Sequence, residues 1–173
     1  MFKRLPKLVF EVCHRISHLL LNVTDVTQFL INFFVANPDR LHEPIGRMKE
    51  LINSDEWSSV RKCNDFTILI YLLLDWFEGF DTPIIDANTL EIQNDEDLGH
   101  YLKRCDRFTE LEIINTLTKT ISQFFRRLTD ESLATQLIIL ILSKMCQVEV
   151  DSINNPVAQA LLRQMRKGAT ISH

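Results

Sequence analysis

Cys13, His14 and His18 fall within two helical turns, and a histidine pair at i,i+4 is the spacing with which helices present imidazoles to a metal ion. A site there needs further ligands, and His42 with Glu43 is the pair that could supply them. No glutamate follows His14 in the zinc-protease pattern, so the two histidines read as ordinary helix-face residues and no metal is expected. Asp75 and Glu78 lie one turn apart at the end of an apolar stretch, where a buried carboxyl group could be raised in pKa and move protons. Nothing around them supplies a matching base or nucleophile, so they read as the polar end of a helix. The four cysteines, Cys13, Cys63, Cys105 and Cys146, stand about 40 to 50 residues apart, unlike the short paired spacings of zinc sites or the dense frameworks of secreted domains. No catalytic residue, cofactor or metal ligand is expected.

Binding chemistry offers more. Trp57, Trp76 and Phe80 flank the most apolar stretch, and tryptophans serve both as core anchors and as interface hot spots. Core packing is the default for all three. If one of them faces outward it is Trp57, because Asp55, Glu56, Ser58 and Ser59 around it are polar. On that reading Trp57→Ala weakens partner binding more than folding. Arg126 and Arg127 with Arg163, Arg166 and Lys167 read first as solvated helix ends, and as the alternative form a basic patch for an acidic partner or a phosphoinositide. The candidate partner contacts are therefore Trp57, Arg163, Arg166 and Lys167.

The elements that must carry these residues are helices. Four glycines and five prolines in 173 residues, with no Asn-Gly, Asp-Gly or Gly-Gly pair, argue against tight hairpins and hence against an all-β fold. Leu8, Val12, Ile16, Leu19 and Leu20 repeat at helical spacing behind Pro6, predicting a helix over 6–22. Thr24 or Asp25 caps a second helix through Phe29, Leu30, Phe33 and Phe34, and the two should form a hairpin. Two prolines and mixed charges over 37–44 mark a linker. Beyond it, 45–52 reads as a short helix and 55–61 as another turn or two. Asn64 or Asp65 caps a strongly apolar helix that ends near Gly79.

A weaker helix is expected in the polar stretch 86–104. Thr109 and Glu112 fit a capping box for a helix to about 127, with Leu111, Ile114, Leu117, Ile121 and Phe125 on one face. Thr129 or Asp130 starts another, apolar nearly all round over 133–145, as a helix surrounded by others should be. Asn155 and Pro156 begin a last one to 167, closed by Gly168. The fold class is all-α: an irregular bundle of about seven or eight helices around two strongly apolar central ones. Its parts are an N-terminal hairpin at 5–37, a linker at 38–44 and a C-terminal helical domain at 45–168, or one compact unit of hairpin and domain.

Composition narrows the function classes. Hydrophobic types at 46% and charged types at 24% are globular values, and a chain of this length buries roughly 70% of its unfolded surface. A net charge of −4 lacks the basic excess of a phosphate-neutralising nucleic-acid binder. The runs 66–74 and 137–142 fall short of the ~18 apolar residues of a membrane span. Lys3, Arg4 and Lys7 give a faint presequence flavour, better read as helix-end charge, and no signal-peptide pattern is present. The Asn22-Val23-Thr24 sequon then carries no weight, and a cytoplasmic protein is expected.

Three blocks of residues resemble one family. Leu5-Pro6-Lys7 running into Cys13 and Leu19-Leu20-Leu21, then Lys49-Glu50-Leu51 to Trp57, then Asp65-Phe66 through Trp76 to Pro83-Ile84-Ile85, occur in the order found beyond the catalytic domain of the protein tyrosine phosphatase domain-containing protein 1 family. The likeness covers about three quarters of the chain and rests on packing residues. It implies a phosphatase-family protein linked to cilia and centrosomes, with these helices as a non-catalytic accessory region. The partners it implies are ciliary or centrosomal proteins, or a phosphatase domain in cis.

In that family a thiolate attacks phosphorus and an arginine six positions later clamps the oxyanions. Six positions beyond the four cysteines stand Leu19, Leu69, Leu111 and Ser152, and neither tryptophan begins a Trp-Pro-Asp loop, so no catalytic residue carries over. The short path from Phe34 to Lys49, where the resembling proteins place a long stretch, suggests a truncated form, a divergent member or an incomplete gene model. The alternative is a helical GTPase-activating-like domain, suggested by Phe80-Asp81-Thr82-Pro83-Ile84. Gly46-Arg47 lacks the Gly- and Ser-flanked loop of an arginine finger.

Overall fold

The computed structural model describes residues 7–81, 83–84 and 108–153, and among these the chain is helical, with no strand. Seven α-helices follow one another: α1 (Lys7–Leu21), α2 (Thr27–Val35), α3 (Pro38–Asn53), α4 (Ser58–Arg61), α5 (Phe66–Glu78), α6 (Phe108–Phe125) and α7 (Glu131–Cys146). Among the described residues a 3₁₀ turn, Val150–Ser152, packs against α7. The helices expected over 86–104 and 155–167 lie outside the described residues.

Helix α1 turns one face inward through Leu8, Val9, Val12, Cys13, Ile16 and Leu20, and packs chiefly on α6 and α5. The expected α1–α2 hairpin gives way to a different pairing, because α2 docks on α5 instead. Start signals are those the sequence carries. Asp65 Oδ1 accepts from the Thr67 and Ile68 N–H groups at 2.9 and 3.4 Å, and Asp130 Oδ1 from Ser132 and Leu133 at 2.9 and 3.3 Å. Each satisfies donors that the first helical turn leaves unpaired, a cap worth about 1 kcal/mol. Asp25 accepts from Thr27 N at 3.1 Å just before α2.

Residues 38–44, expected as a linker, are the first half of α3. Asn37 caps it by accepting from Asp39 N at 3.0 Å, and Pro38 sits in the first turn, where its missing N–H costs nothing. Pro44 lies inside the helix and cannot donate to the carbonyl of Arg40 one turn back. Burial of Ile45, Met48 and Ile52, on a helix that packs against α5 and α4, offsets that loss. Hairpin and C-terminal helices share one continuous core, so no boundary falls between them.

Stop signals came from residues with no obvious claim to the role. Asp55 adopts φ 61° after α3, and its N–H reaches Ile52 O at 2.9 Å while Glu56 N reaches Leu51 O at 2.8 Å. Gln147 repeats the arrangement after α7, with φ 54° and bonds from Gln147 N to Lys144 O and from Val148 N to Ser143 O. Both are left-handed terminations that satisfy the last carbonyls. Helix α5 ends at Gly79 as expected, with a right-handed φ of −77°.

Helices α5 and α7 are buried on most sides and pack on each other. Their C-terminal ends are tied together: the Gln147 side-chain amide donates to Phe80 O at 2.7 Å, Lys144 pairs with Glu78, and Ile84 N reaches Met145 O at 3.0 Å. Phe66 opens α5 between two parallel rings, Phe29 of α2 at 5.1 Å and Phe124 of α6 at 5.3 Å between centroids.

Candidate functional site

The polar face of α1 carries Lys7, Glu11, His14 and His18 at successive helical turns, with Phe10 and Arg15 beside them. The first turns of this face run beside α4, which contributes Arg61, and the two helices bound a groove of about 680 Å³. Three cations line it against one carboxylate, in a chain whose net charge is −4.

Each cation is held in place. Arg61 Nη2 and Nε donate to the two oxygens of Glu11 at 2.7 and 3.1 Å, a forked pair that holds the Glu11 carboxyl below the usual carboxylate range against a smaller opposing effect of burial. Arg15 Nε donates to Cys63 O at 2.6 Å and Nη2 to Asn64 Oδ1 at 2.7 Å. Lys7 Nζ reaches Asp55 at 3.4 Å and lies 5.1 Å above the Trp57 ring.

These contacts settle where Trp57 points. It is 8% exposed, and its indole Nε1 donates to Asp55 Oδ1 at 2.9 Å. Core packing, the default for Trp57, is what the structure has, and the outward alternative does not hold: Asp55 turns back through its left-handed backbone to accept the indole proton, so the ring is a buried anchor of the α3–α4 corner. Arg163, Arg166 and Lys167, the other expected contacts, lie outside the described residues. Arg127, expected in a basic patch, is spent on structure. Its guanidinium donates to Leu20 O at 2.7 Å and to Val23 O, closing the C-terminal end of α1.

The remaining chemical candidates separate in the same way. Asp75 pairs with Lys49 at 2.7 Å and Glu78 with Lys144, so both carboxylates join helices. Among the described residues no group of three or more His, Cys, Asp or Glu is placed to hold a metal ion. His14 and His18 are exposed on α1, and His42 and Glu43 on α3. Arg47 lies within α3, not on a loop, 3.6 Å from Glu43. No helix among the described residues is long and apolar enough to cross a membrane.

Cys13 and Cys146 are buried and Cys63 half-buried. Burial pushes the Cys13 thiol up to about 12, with a hydrogen bond to Thr120 opposing it only in part. Burial also raises Cys63. Cys13 borders an apolar void of about 20 Å³ among Phe66, Leu73, Phe77 and Ile121, whose walls offer a water no partners.

Burial keeps Cys13 in its thiol form at ordinary pH. Iodoacetamide applied to the native protein is therefore expected to label Cys63 ahead of Cys13 and Cys146, which stay unmodified until denaturant is added. Peptide mapping that finds Cys13 labelled as fast as Cys63 in native buffer would contradict the burial.

The groove was legible only in part. The stripe of charged and imidazole side chains on α1 is present in its spacing, but the sequence gives no signal that Arg61, 50 residues from Glu11, closes the other wall. Compared with known proteins, the chain matches no family model, no curated protein and no solved structure.

Proposed function

We propose that this chain is a non-catalytic protein-contact module, the accessory helical region of a phosphatase-family protein that works at the cilium or centrosome. One observation carries the non-catalytic part: the fold spends its chemistry-bearing side chains on holding helices together. Cys13 and Cys146 are sealed in the core, Asp75 and Glu78 are paired with lysines, and Arg127 ties down a helix end. The phosphatase and ciliary parts rest on the three sequence blocks, of which Lys49-Glu50-Leu51 to Trp57 and Asp65-Phe66 to Trp76 form the α3–α4 corner and α5.

The test is the native gene product. An antibody against residues 45–167 is expected to recover a species well above 20.2 kDa from ciliated cells, with upstream peptides that contain a Cys-to-Arg phosphate loop. The purified chain alone is expected to leave an aryl phosphate unhydrolysed. Recovery of a 20.2 kDa species alone would remove the phosphatase assignment, and turnover surviving replacement of all four cysteines would overturn the non-catalytic reading.

A further inference from the structure

We propose that the groove between α1 and α4 is a docking site for an acidic segment of a partner protein, one that places carboxylates around a single apolar side chain. This deepens the protein-contact reading and rests on it. The first support is charge. Lys7, Arg15 and Arg61 outnumber Glu11 on the lining, so the groove is a positive concavity on a negatively charged chain. A potential opposite in sign to that of the whole molecule selects a partner, because it attracts carboxylates that the rest of the surface repels.

The second support is preorganisation. Arg61 is held by the Glu11 carboxylate, Arg15 by Cys63 O and Asn64, and Lys7 by Asp55 and the Trp57 ring, so a ligand does not have to immobilise them. Donors remain after those bonds. A guanidinium has five N–H groups and each arginine here uses two, while Lys7 uses one of three in its bond to Asp55. His14 and His18 are exposed, one turn apart on the same wall, and make no hydrogen bond among the described residues.

The third support distinguishes the ligand class. The lining is the side chains of Lys7 to His18 on α1 and Arg61 on α4, separate charges spread along a helix that suit several carboxylates in succession better than one compact anion. Phe10, 36% exposed at the wall, offers an apolar contact that a peptide side chain can take and an inorganic anion cannot. A concave site also suits a chain that enters it better than a flat lipid surface.

The experiment uses the full chain and a displayed library of random 12-residue peptides. Peptides enriched on it are expected to be rich in Asp and Glu around one Phe, Leu or Ile, and to bind more weakly as salt rises. The variant His14→Glu/His18→Glu cancels the positive excess of the lining without touching a structural ion pair, and is expected to bind them roughly tenfold more weakly at low salt. The control Gln123→Glu/Gln136→Glu adds the same charge outside the groove and should bind as the parent does.

Enriched peptides without an acidic bias, or equal loss in both variants, would overturn the assignment. So would vesicles containing phosphoinositide that capture the chain more tightly than any peptide and lose it through the same two histidine positions. Failure of this panning with a phosphatase-bearing native product would remove the groove and leave the accessory-region reading standing. A 20.2 kDa product with successful panning would do the reverse.

Discussion

Phe66→Ala is expected to lower the free energy of unfolding by about 5 kcal/mol, the upper end of the range for truncating a buried phenylalanine. The reason is position. Phe66 is 4% exposed, and its ring lies nearly parallel to those of Phe29 and Phe124, with interplanar angles of 7° and 8°. Truncation removes the buried area and both stacked contacts, each worth about 0.5–1.5 kcal/mol beyond burial. It also opens a space beside the apolar void that Phe66 already lines, which its rigid helical neighbours cannot refill.

Since whole domains are stable by only about 5–15 kcal/mol, the variant should sit near its unfolding threshold. Phe66→Leu keeps most of the apolar volume and loses the stacking, so about 1–2 kcal/mol is expected. Denaturant unfolding followed by helical circular dichroism measures both. An alanine variant within 1 kcal/mol of the parent would show that the three-ring stack does not join α2, α5 and α6 as described.

Arg127→Ala is expected to cost about 2–3 kcal/mol, far more than an exposed arginine usually matters. Its guanidinium donates to the carbonyls of Leu20 and Val23, more than 100 residues away in sequence, at the end of α1 where unpaired carbonyls concentrate partial negative charge. Removing it leaves those acceptors to water at a part-buried site and frees the α1–α2 connection from the turn after α6. Arg127→Lys should recover little, because an ammonium on a flexible stem cannot serve two carbonyls in the fork geometry. Hydrogen exchange gives the local readout: amides over 19–26 should lose protection before those of α5. Uniform loss, or none, would mean that the arginine is not a clamp on α1.

Comparing expectation with structure shows which rule was decisive where. The starts of α5 and α7 were legible because Asp65 and Asp130 each act on N–H groups two and three residues ahead. The α3 start was misread because Asn37-Pro38 is both a loop signal and a helix-start signal. Pro44 tipped the reading towards a loop, although burial of Ile45, Met48 and Ile52 keeps the helix through it. Thr109 with Glu112 carries a capping signal, whereas α6 already runs from Phe108. Helix α5 ends at Gly79 as its residue type suggests, yet the left-handed conformation falls to Asp55 and Gln147, which use their side chains on Trp57 and Phe80.

The sequence by itself determined the helical class, the most apolar helices and most of their first turns, since these depend on hydrophobic spacing and on side chains within a few residues of the atoms they satisfy. Tertiary structure decided whatever depends on two segments meeting. Trp57 is buried because Asp55 and Lys7 close over it, and Arg127 is a structural clamp because α6 ends beside α1. The groove exists because the polar stripe of α1 runs past Arg61. Charge and periodicity say which side chains are polar and which face they share. What those side chains meet is set by packing between helices, through contacts about 50 to 100 residues apart that no local pattern encodes.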